Sequence, residues 1–255
     1  MKPEPAILLV DISNTRTKFM RLTASGLLPE LRMLDTAEIS AQTLASSLHD
    51  WDYAAACVSS VVPEKALVLS AFLSVPHHFI SAQDNVLVDF SSYPGAETLG
   101  ADRVANAIAA AQYGTFPVIA IDMGTATTFD VVAMKNGVPT FLGGAIAPGL
   151  DCLRRFFHTS TAQLPPVEHA DKPCAIGQNT AQAMQAGLLL GYRGLLREII
   201  SEIEKECGAT PSLLATGGDA SQMAALMPNR LQLRSQLTFE GIALVAKTIF
   251  SAVLA

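Results

Sequence analysis

The chain has 255 residues, half of them hydrophobic and 16% charged, with a formal net charge of −6 at pH 7. This length and composition fit one large domain or two modest ones around a well-filled core, and they argue against disorder. The absence of a basic block argues against a broad nucleic-acid surface. The longest apolar region, 183–200, is interrupted by Arg193 and Arg197, so we expect no membrane span.

The N-terminal residues and the cysteines indicate a reducing compartment. Residues 1–5 lead directly into an apolar run and lack the hydrophobic region of a signal peptide. The four cysteines are scattered and form no C-x-x-C pair, so a zinc site is not expected. We therefore expect a cytoplasmic protein whose cysteines are buried or incidental thiols.

The first half of the chain alternates strand and helix patterns. Apolar runs predict strands over 7–20 (two strands joined by a turn), 54–62 and 77–81. Helical spacing predicts helices over 64–73 and from Asp102 onward. The intervening residues 84–99 contain Pro94 and Gly95 and predict a loop.

The second half repeats this alternation. Strands are predicted over 118–122, 127–134, 138–142 and 211–216. Helices are predicted over 151–158, over 177–207 (either continuous or broken near its glycines), after Gly217-Gly218-Asp219, and from Thr238 onward. Lys135-Asn136-Gly137 predicts a hairpin turn. The glycine-rich segment 143–150 predicts a bend, and residues 159–175 predict a polar loop.

One sequence pattern occurs once in each half. An apolar run ends in Asp11 in the first half and in Asp122 in the second; one apolar residue, a small residue and a hydroxyl-rich stretch follow. Such a run predicts a buried strand that places a carboxylate at its tip. The turn after it can present N–H groups and hydroxyls to phosphate oxygens. The alternative is two unrelated buried strands with ordinary turns.

The order of elements predicts the fold class. Strand-strand-strand-helix-strand-helix, repeated, describes an actin-like ATPase core better than a doubly wound Rossmann domain. The sequence has neither a G-x-x-x-x-G-K-[ST] P-loop nor a G-x-G-x-x-G fingerprint. We therefore predict an α/β protein of two actin-like (ribonuclease H-like) domains, 1–114 and 115–255, with the nucleotide cleft between them.

Two further segments combine chemistry with a turn. Gly100-Ala101-Asp102-Arg103 places a carboxylate beside a guanidinium at a helix start. The guanidinium suits a carboxylate-bearing substrate, and the carboxylate could accept a proton from an alcohol. Thr216-Gly217-Gly218-Asp219 is a turn without side-chain bulk, which would let a flat ring approach the backbone. The alternatives are a helix N-cap at Asp102, a surface ion pair at Arg103 and an ordinary turn at the glycines.

Together these motifs resemble the type III pantothenate kinase family of the acetate and sugar kinase/Hsc70/actin superfamily. The resemblance spans nearly the whole chain in the family's order. Its motifs are D-x-G-N-T-x-x-K at Asp11–Lys18, G-x-D-R at Gly100–Arg103, D-x-G-T-A-T-T at Asp122–Thr128, G-G-x-I-x-P-G-L at Gly143–Leu150, I-G-x-N-T at Ile176–Thr180 and T-G-G at Thr216–Gly218. The chain departs from the family at Ser13, where glycine is usual. Serine there would weaken ATP binding if the position needs a positive φ or a close phosphate approach.

The resemblance implies ATP-dependent phosphorylation of pantothenate to 4′-phosphopantothenate, the first step of coenzyme A biosynthesis, with Mg²⁺ accompanying ATP. It implies that Asp102 is the catalytic base. The residues implied for the ATP phosphates are Asp11, Ile12, Ser13, Asn14, Thr15, Arg16, Thr17, Lys18 and Thr125. Those implied for pantothenate are Tyr93, Gly100, Ala101, Asp102, Arg103 and Thr180.

The resemblance also implies a monovalent cation, K⁺ or NH₄⁺, bound at Asp122. The alternative is that Asp122 binds only a water on Mg²⁺ or caps its own turn. A homodimer is implied as well, with pantothenate close to the subunit interface and Thr180 reaching in from the partner. The broad apolar surface of the predicted helix 177–207 is explained most simply by a core position.

Two other functions remain open at the sequence level. One is a catalytically weak, nucleotide-binding regulatory protein of the same fold, which the departure at Ser13 would favour. The other is a kinase of another small hydroxy acid, such as a sugar acid. Both Asp102 and Arg103 are retained, which speaks against a protein that only binds nucleotide, since such a protein has little use for a base beside a substrate anchor.

Overall fold

The structure, a computed structural model, describes residues 4–113, 115–160 and 174–255. These residues form a mixed α/β protein with two sheets, as predicted for the fold class. They group into two units. The first contains the described residues up to 113 with Lys135–Phe141 and Gln236–Ala255, and the second contains Thr115–Met134 and the described part of Leu142–Ser235.

The elements of the N-terminal part form the first sheet and its helices. They are β1 (Ile7–Ile12), β2 (Arg16–Thr23), β3 (Gly26–Leu27), β4 (Arg32–Asp35), α1 (Ala41–Leu48), β5 (Ala55–Ser60), α2 (Pro63–Phe72), β6 (His77–Phe79) and α3 (Ala101–Ala111). The sheet order is β3-β2-β1-β5-β6, with β4 also paired to β2. β1 is antiparallel to β2 and parallel to β5, so Asp11 lies beside Lys18 on one side and Ser59 on the other.

The remaining elements form the second sheet and its helices, followed by the C-terminal helix. They are β7 (Val118–Met123), β8 (Ala126–Lys135), β9 (Val138–Pro148), α4 (Leu150–Ser160), α5 (Thr180–Cys207), β10 (Ser212–Thr216), α6 (Ala220–Leu226), β11 (Gln232–Leu233) and α7 (Leu237–Ile249). The sheet order is β11-β10-β7-β8-β9. No helix in these described ranges is long and apolar enough to cross a membrane.

Each sheet buries alternate residues against helices. In the first unit, Leu8, Val10 and Ile12 of β1 belong to a core cluster shared with residues of α1 and α2. In the second unit, Ile119 and Ile121 of β7 belong to a cluster that includes residues of α5 and α6. β1 is buried along its whole length, including Asp11. The buried strands therefore hold their terminal carboxylates in fixed positions.

The last helix groups with the first unit, whereas the predicted division assigned it to 115–255. α7 packs on α3 and on β1 and β5. Two hydrogen bonds join α3 and the segment after it to α7: Thr238 Oγ1 donates to Asn106 Oδ1 at 2.9 Å, and Tyr113 Oη donates to Glu240 Oε2 at 2.6 Å. The nearly continuous apolar face of α7 is buried against these elements, which explains the grouping.

Several predicted elements have different bounds in the structure. Residues 143–148 of the predicted bend are in fact the second half of β9, which lies beside β8 in the sheet and continues through these glycines. α5 begins at Thr180 rather than 177 and is continuous. β3, β4 and α1 lie in a region where no element was predicted. The predicted loop 159–175 begins inside α4, and its residues 161–173 lie outside the described ranges.

Candidate functional site

The first repeated motif forms the hairpin turn between β1 and β2. Asp11 is buried at the strand tip, and Lys18 lies directly opposite it with Nζ 4.0 Å from Oδ2. The Ser13 hydroxyl donates to both carboxylate oxygens of Asp11, at 3.2 and 3.3 Å. The Ser13 N–H closes the turn on the Arg16 carbonyl at 3.1 Å. The turn therefore holds a buried carboxylate between a hydroxyl and an ammonium group.

Serine fits the backbone at position 13. The described non-glycine residues with positive φ are Leu87, Asn136 and Asn229, so Ser13 is not in the left-handed region. The corresponding Gly124 is not among the glycines with positive φ either, and a Cβ there would lie 3.7 Å from its nearest neighbours. Backbone strain is therefore no reason for Ser13 to weaken the site.

The side chains of the first turn divide into two groups. Those of Ile12 and Thr17 are each 1% exposed, and the Thr17 hydroxyl lies 3.0 Å from that of Thr36. Asn14, Thr15 and Arg16 are exposed, and Arg16 forms an ion pair with Asp35. Of the residues predicted to hold phosphate, Ile12 and Thr17 can therefore offer only backbone groups.

The second motif forms the turn between β7 and β8. Asp122 is half-buried and lies opposite Thr128. The Gly124 N–H donates to the Ala126 carbonyl at 3.1 Å, which makes this turn one residue shorter than the first. The two copies of the motif therefore match in structure as far as the carboxylate and the small residue, and they differ after that point. The cross-strand neighbour of the carboxylate is lysine in the first copy and threonine in the second.

Two glycines bring two further loops onto the second turn. Gly217, with φ of +94°, follows Thr216, which pairs with Asp122; a Cβ at Gly217 would lie 2.5 Å from the Met123 carbonyl and 2.6 Å from Asp122 Oδ1. The Gly149 N–H donates to the Thr125 carbonyl at 3.2 Å, and a Cβ there would lie 2.1 Å from the Gly124 carbonyl oxygen. Three motifs that are far apart in sequence therefore meet in the second unit, and the close approach to Met123 and Asp122 requires glycine at position 217.

Polar side chains surround this junction, and sequence reasoning assigned no role to them. The Asp219 N–H donates to the Met123 carbonyl at 3.1 Å, and its carboxylate lies 3.6 Å from Arg154 Nη1. Tyr192 is buried with its hydroxyl against that of Thr127. Burial raises the pKa of Tyr192 to about 12, and the negative charges of Asp219 and Asp122 add to the rise. The alternation of inward and outward side chains along β8 could have indicated that Thr127 is buried. Arg154 and Tyr192 belong to no sequence motif, so no signal in the sequence pointed to them.

Asp102 lies in the first turn of α3. The N-cap position is occupied by Gly100, so the alternative that Asp102 is the N-cap is wrong. Its Oδ1 accepts a hydrogen bond from the Arg103 N–H at 2.8 Å, and a Cβ at Gly100 would come within 2.6 Å of the same oxygen. Burial raises the pKa of Asp102, although the Arg103 N–H and the guanidinium charge oppose the rise. The absence of a side chain at Gly100 therefore makes room for a desolvated carboxylate.

Tyr93 and Arg103 meet on a residue that sequence reasoning missed. The Tyr93 ring packs edge-on against Phe141 with ring centroids 5.0 Å apart, and the Arg103 guanidinium carbon lies 5.8 Å from the Phe141 centroid. Asp89 holds Phe141 in place, because its carbonyl accepts from the Phe141 N–H at 3.0 Å. Phe141 stands in β9, in a plain apolar run without a motif, so only the fold could reveal it.

Thr180 is the first residue of α5 and is exposed. The preceding Asn179 caps the helix, because its Oδ1 accepts from the Gln182 N–H at 2.9 Å. The I-G-x-N-T motif thus includes a helix start. Ile176 of the same motif is 78% exposed, which is high for a large apolar side chain.

The fold is shared with several solved structures. A conserved candidate Baf family transcriptional activator from Campylobacter jejuni has a TM-score of 0.64 at 20% identity, covering 96% of this chain and 99% of that chain. An inorganic polyphosphate/ATP-glucomannokinase from an Arthrobacter strain has a TM-score of 0.52 at 16% identity, covering 98% of this chain and 100% of that one. At these identities the likeness shows the fold alone.

Sequence comparisons show the family. A chain from Akkermansia muciniphila described as a type III pantothenate kinase is 40% identical over 239 residues, covering 94% of this chain and 97% of that relative. One with the same description from Methylacidiphilum infernorum is 35% identical, covering 95% and 89%. The family model described as type III pantothenate kinase matches residues 7–202. The chain therefore belongs to the type III pantothenate kinase family.

Proposed function

We propose that the protein transfers the γ-phosphate of ATP to the 4′-hydroxyl of pantothenate, giving 4′-phosphopantothenate in the first step of coenzyme A biosynthesis. Family membership supports the reaction. The single observation that most supports the proposed chemistry is the desolvated carboxylate of Asp102. This residue directly precedes Arg103 at the start of α3. A base and an anion-binding group are thus adjacent on one rigid element.

Asp102 acts as the general base in this proposal. It accepts the proton of the 4′-hydroxyl while that oxygen bonds to the γ-phosphorus and the bond to the leaving ADP oxygen breaks. A raised pKa brings a carboxylate closer to the pH at which it must take the proton, so burial makes Asp102 a better base. Positioning and charge neutralisation supply most of the remaining rate enhancement in phosphoryl transfer.

Arg103 binds the carboxylate of pantothenate, for which a planar guanidinium offers two parallel hydrogen bonds. Tyr93 packs on the substrate, with Gly100 and Ala101 contributing backbone. The contacts with Phe141 restrain both Tyr93 and Arg103, which we expect to lower the entropic cost of binding. Phe141 is therefore a positioning residue in this proposal.

Each turn of the repeat offers groups that suit the phosphates of ATP, whose charge Mg²⁺ would neutralise. Lys18 and the exposed side chains of Asn14, Thr15 and Arg16 contact phosphate directly, as does Thr125 in the second turn. Ile12 and Thr17 contribute backbone groups, since their side chains are buried. Asp11 orients Lys18 through the contact described above, and the Ser13 N–H closes the turn.

Asp122 binds a monovalent cation, K⁺ or NH₄⁺, in this proposal. Its half-buried carboxylate lies at a turn of backbone carbonyls and N–H groups, and carboxylate and carbonyl oxygens are ligands that suit a hard cation. A carboxylate near ATP phosphates is repulsive unless a cation screens it. Activity should therefore collapse when Na⁺ replaces K⁺ at equal ionic strength and constant Mg²⁺, and equal rates in the two salts would refute the site.

We further propose a cytoplasmic homodimer in which Thr180 of one subunit contributes to the pantothenate site of the other. Ile176, which is strongly exposed and lies four residues before α5, and the exposed Thr180, its first residue, support an interface there. An assay with ATP and a panel of pantothenate, acetate and sugar acids tests the function itself. We expect turnover with pantothenate alone. Turnover with a sugar acid instead would favour a kinase of another small hydroxy acid. Turnover with none of these substrates would favour a nucleotide-binding regulatory protein.

A further inference from the structure

A groove of about 450 Å³ lies in the second unit, between α5 and the segment that ends α6. Three arginines line it, Arg193 and Arg197 from α5 and Arg230 from the loop after α6, together with Ser201 and Glu204. We call it the arginine groove. None of its lining residues belongs to the turns at Gly124, Gly149 or Gly217, so it is built from residues other than those of the proposed phosphate site.

The guanidiniums of the arginine groove have few partners among the residues that the structure describes. Arg193 and Arg197 lie one turn apart on α5, an arrangement of like charges that disfavours the helix. Neither guanidinium makes a hydrogen bond or an ion pair with any residue in the described ranges. Arg230 Nη2 lies 3.8 Å from Glu204 Oε2, a loose ion pair that is half exposed. The groove thus gathers three positive charges against one negative charge.

The other side of α5 has the opposite charge. Glu198, Glu202 and Glu206 line a second groove of about 430 Å³, against β9. The two arginines and these three glutamates of α5 therefore line different grooves, in a chain whose formal net charge is −6. Interspersed charges would serve solubility, whereas a concave surface of one sign concentrates ligands of the other sign.

The floor of the arginine groove indicates what kind of anion fits it. Ile200 and Met227 are buried there, and Leu226 is half-buried, so apolar surface lies beneath the guanidiniums. Ser201, one turn after Arg197, adds a hydroxyl. Guanidiniums form paired hydrogen bonds with phosphate oxygens, and an apolar floor favours a ligand with an apolar body.

We propose that the arginine groove is a second anion site, which binds the phosphate group of a small organic phosphate whose apolar part rests on Leu226 and Met227. Arg193, Arg197 and Arg230 contact the phosphate oxygens, and Ser201 donates a further hydrogen bond. Binding relieves the repulsion between the two arginines of α5.

The test follows the NMR signal of the Met227 methyl group, which lies in the arginine groove. Protein labelled with ¹³C at its methionine methyl groups is titrated with inorganic pyrophosphate and separately with phenyl phosphate, and a Met227→Leu variant assigns the signal. We expect a saturable shift of the Met227 methyl with both probes. The double variant Arg193→Gln with Arg197→Gln should weaken both by at least about tenfold, since it removes two charge-assisted contacts.

Lys247→Gln is the matched control, because it removes one positive charge from an exposed position in the first unit. It should leave both titrations unchanged. Arg197→Gln alone, at an exposed position, serves as a second variant and should weaken binding by several-fold. An unshifted Met227 signal, an unweakened double variant, or an equal loss in Lys247→Gln would each overturn the proposal.

Discussion

At the scale of single residues, Asp102 shows how the needs of catalysis and of stability diverge. Its burial raises its pKa, so the folded protein binds the Asp102 proton more tightly than the unfolded chain does. The stability that this proton contributes is fully present below the pKa of the unfolded chain and is lost as pH rises through the higher, folded-state pKa. At neutral pH the folded protein therefore holds a desolvated charge at a cost.

Replacing Asp102 with Asn should accordingly stabilise the protein at neutral pH. Asparagine keeps the shape without the buried charge, so the melting temperature should exceed that of the wild type at about pH 7.5. The difference should shrink as pH falls below about 4, where the wild-type carboxyl is protonated in both states. Calorimetric melting at both pH values measures this, and a variant that melts lower at neutral pH would contradict the desolvation argument.

Ser13 gives a second prediction at this scale. Its backbone does not need glycine, and its hydroxyl contacts Asp11, so Ser13→Gly should gain no conformational advantage. We expect the KM for ATP to stay within about threefold of the wild-type value, because neither strain nor a lost phosphate contact separates the two. Steady-state kinetics with ATP varied would decide. A KM lowered by tenfold or more would mean that serine obstructs the phosphate.

At the scale of elements, the junction of three loops in the second unit depends on two glycines. Gly217 combines a positive φ with contacts that leave no room for a Cβ, whereas a Cβ at the neighbouring Gly218 would meet nothing within 4 Å. The two positions therefore form a matched pair that separates the geometry of the turn from the general cost of changing a glycine.

Gly217→Ala should destabilise the protein by at least about 2 kcal/mol, from the left-handed backbone together with the overlap on the Met123 carbonyl. Gly218→Ala should change stability by less than about 1 kcal/mol. Urea denaturation measures the free energy of unfolding of both variants. Equal values would show that the loop at Gly217 does not approach β7 as closely as the structure has it.

The sequence predicted elements best where local signals and packing agree. The structure has the expected elements at the strands that carry Asp11 and Asp122, at the start of α3 and at the turn of Gly217. In each of these segments, a buried apolar run or a helical pattern is followed or preceded by small residues, so the local signals agree. The glycines in β9 led to the prediction of a bend, and those in α5 left open whether that helix is continuous. In the structure, sheet pairing in β9 and buried leucines in α5 outweigh the low propensity of glycine for strands and helices. Phe141 could not be predicted, because its importance arises only from where the fold places it.

At the scale of the whole molecule, sequence order and spatial grouping diverge at the C-terminus. α7 follows the second sheet in the chain but packs on α3 and the first sheet. No local pattern distinguishes an apolar helix that packs on its sequence neighbours from one that packs on distant elements. α3, which carries Asp102, is thereby held by a helix more than a hundred residues later in sequence.

The proposed homodimer is tested at this same scale. Light scattering on the active protein should give a mass of twice 26.9 kDa for the chain. Ile176→Asp should shift the mass toward the monomer and lower the rate with pantothenate, because it places a charge on an exposed apolar residue beside Thr180. Asp52→Asn, an exposed substitution elsewhere, is the control. A wild-type monomer with full activity would reject the shared site.

The central claim is that this chain phosphorylates pantothenate with Asp102 as the base. The most direct measurement incubates wild-type protein and Asp102→Asn with ATP, Mg²⁺, K⁺ and pantothenate, and identifies the product by ³¹P NMR and mass spectrometry. We predict 4′-phosphopantothenate with the wild type and a rate lower by about 10²–10⁴-fold with the variant, which cannot take the proton. No phosphopantothenate from the wild type would contradict the function, and a variant near the wild-type rate would contradict the role of Asp102.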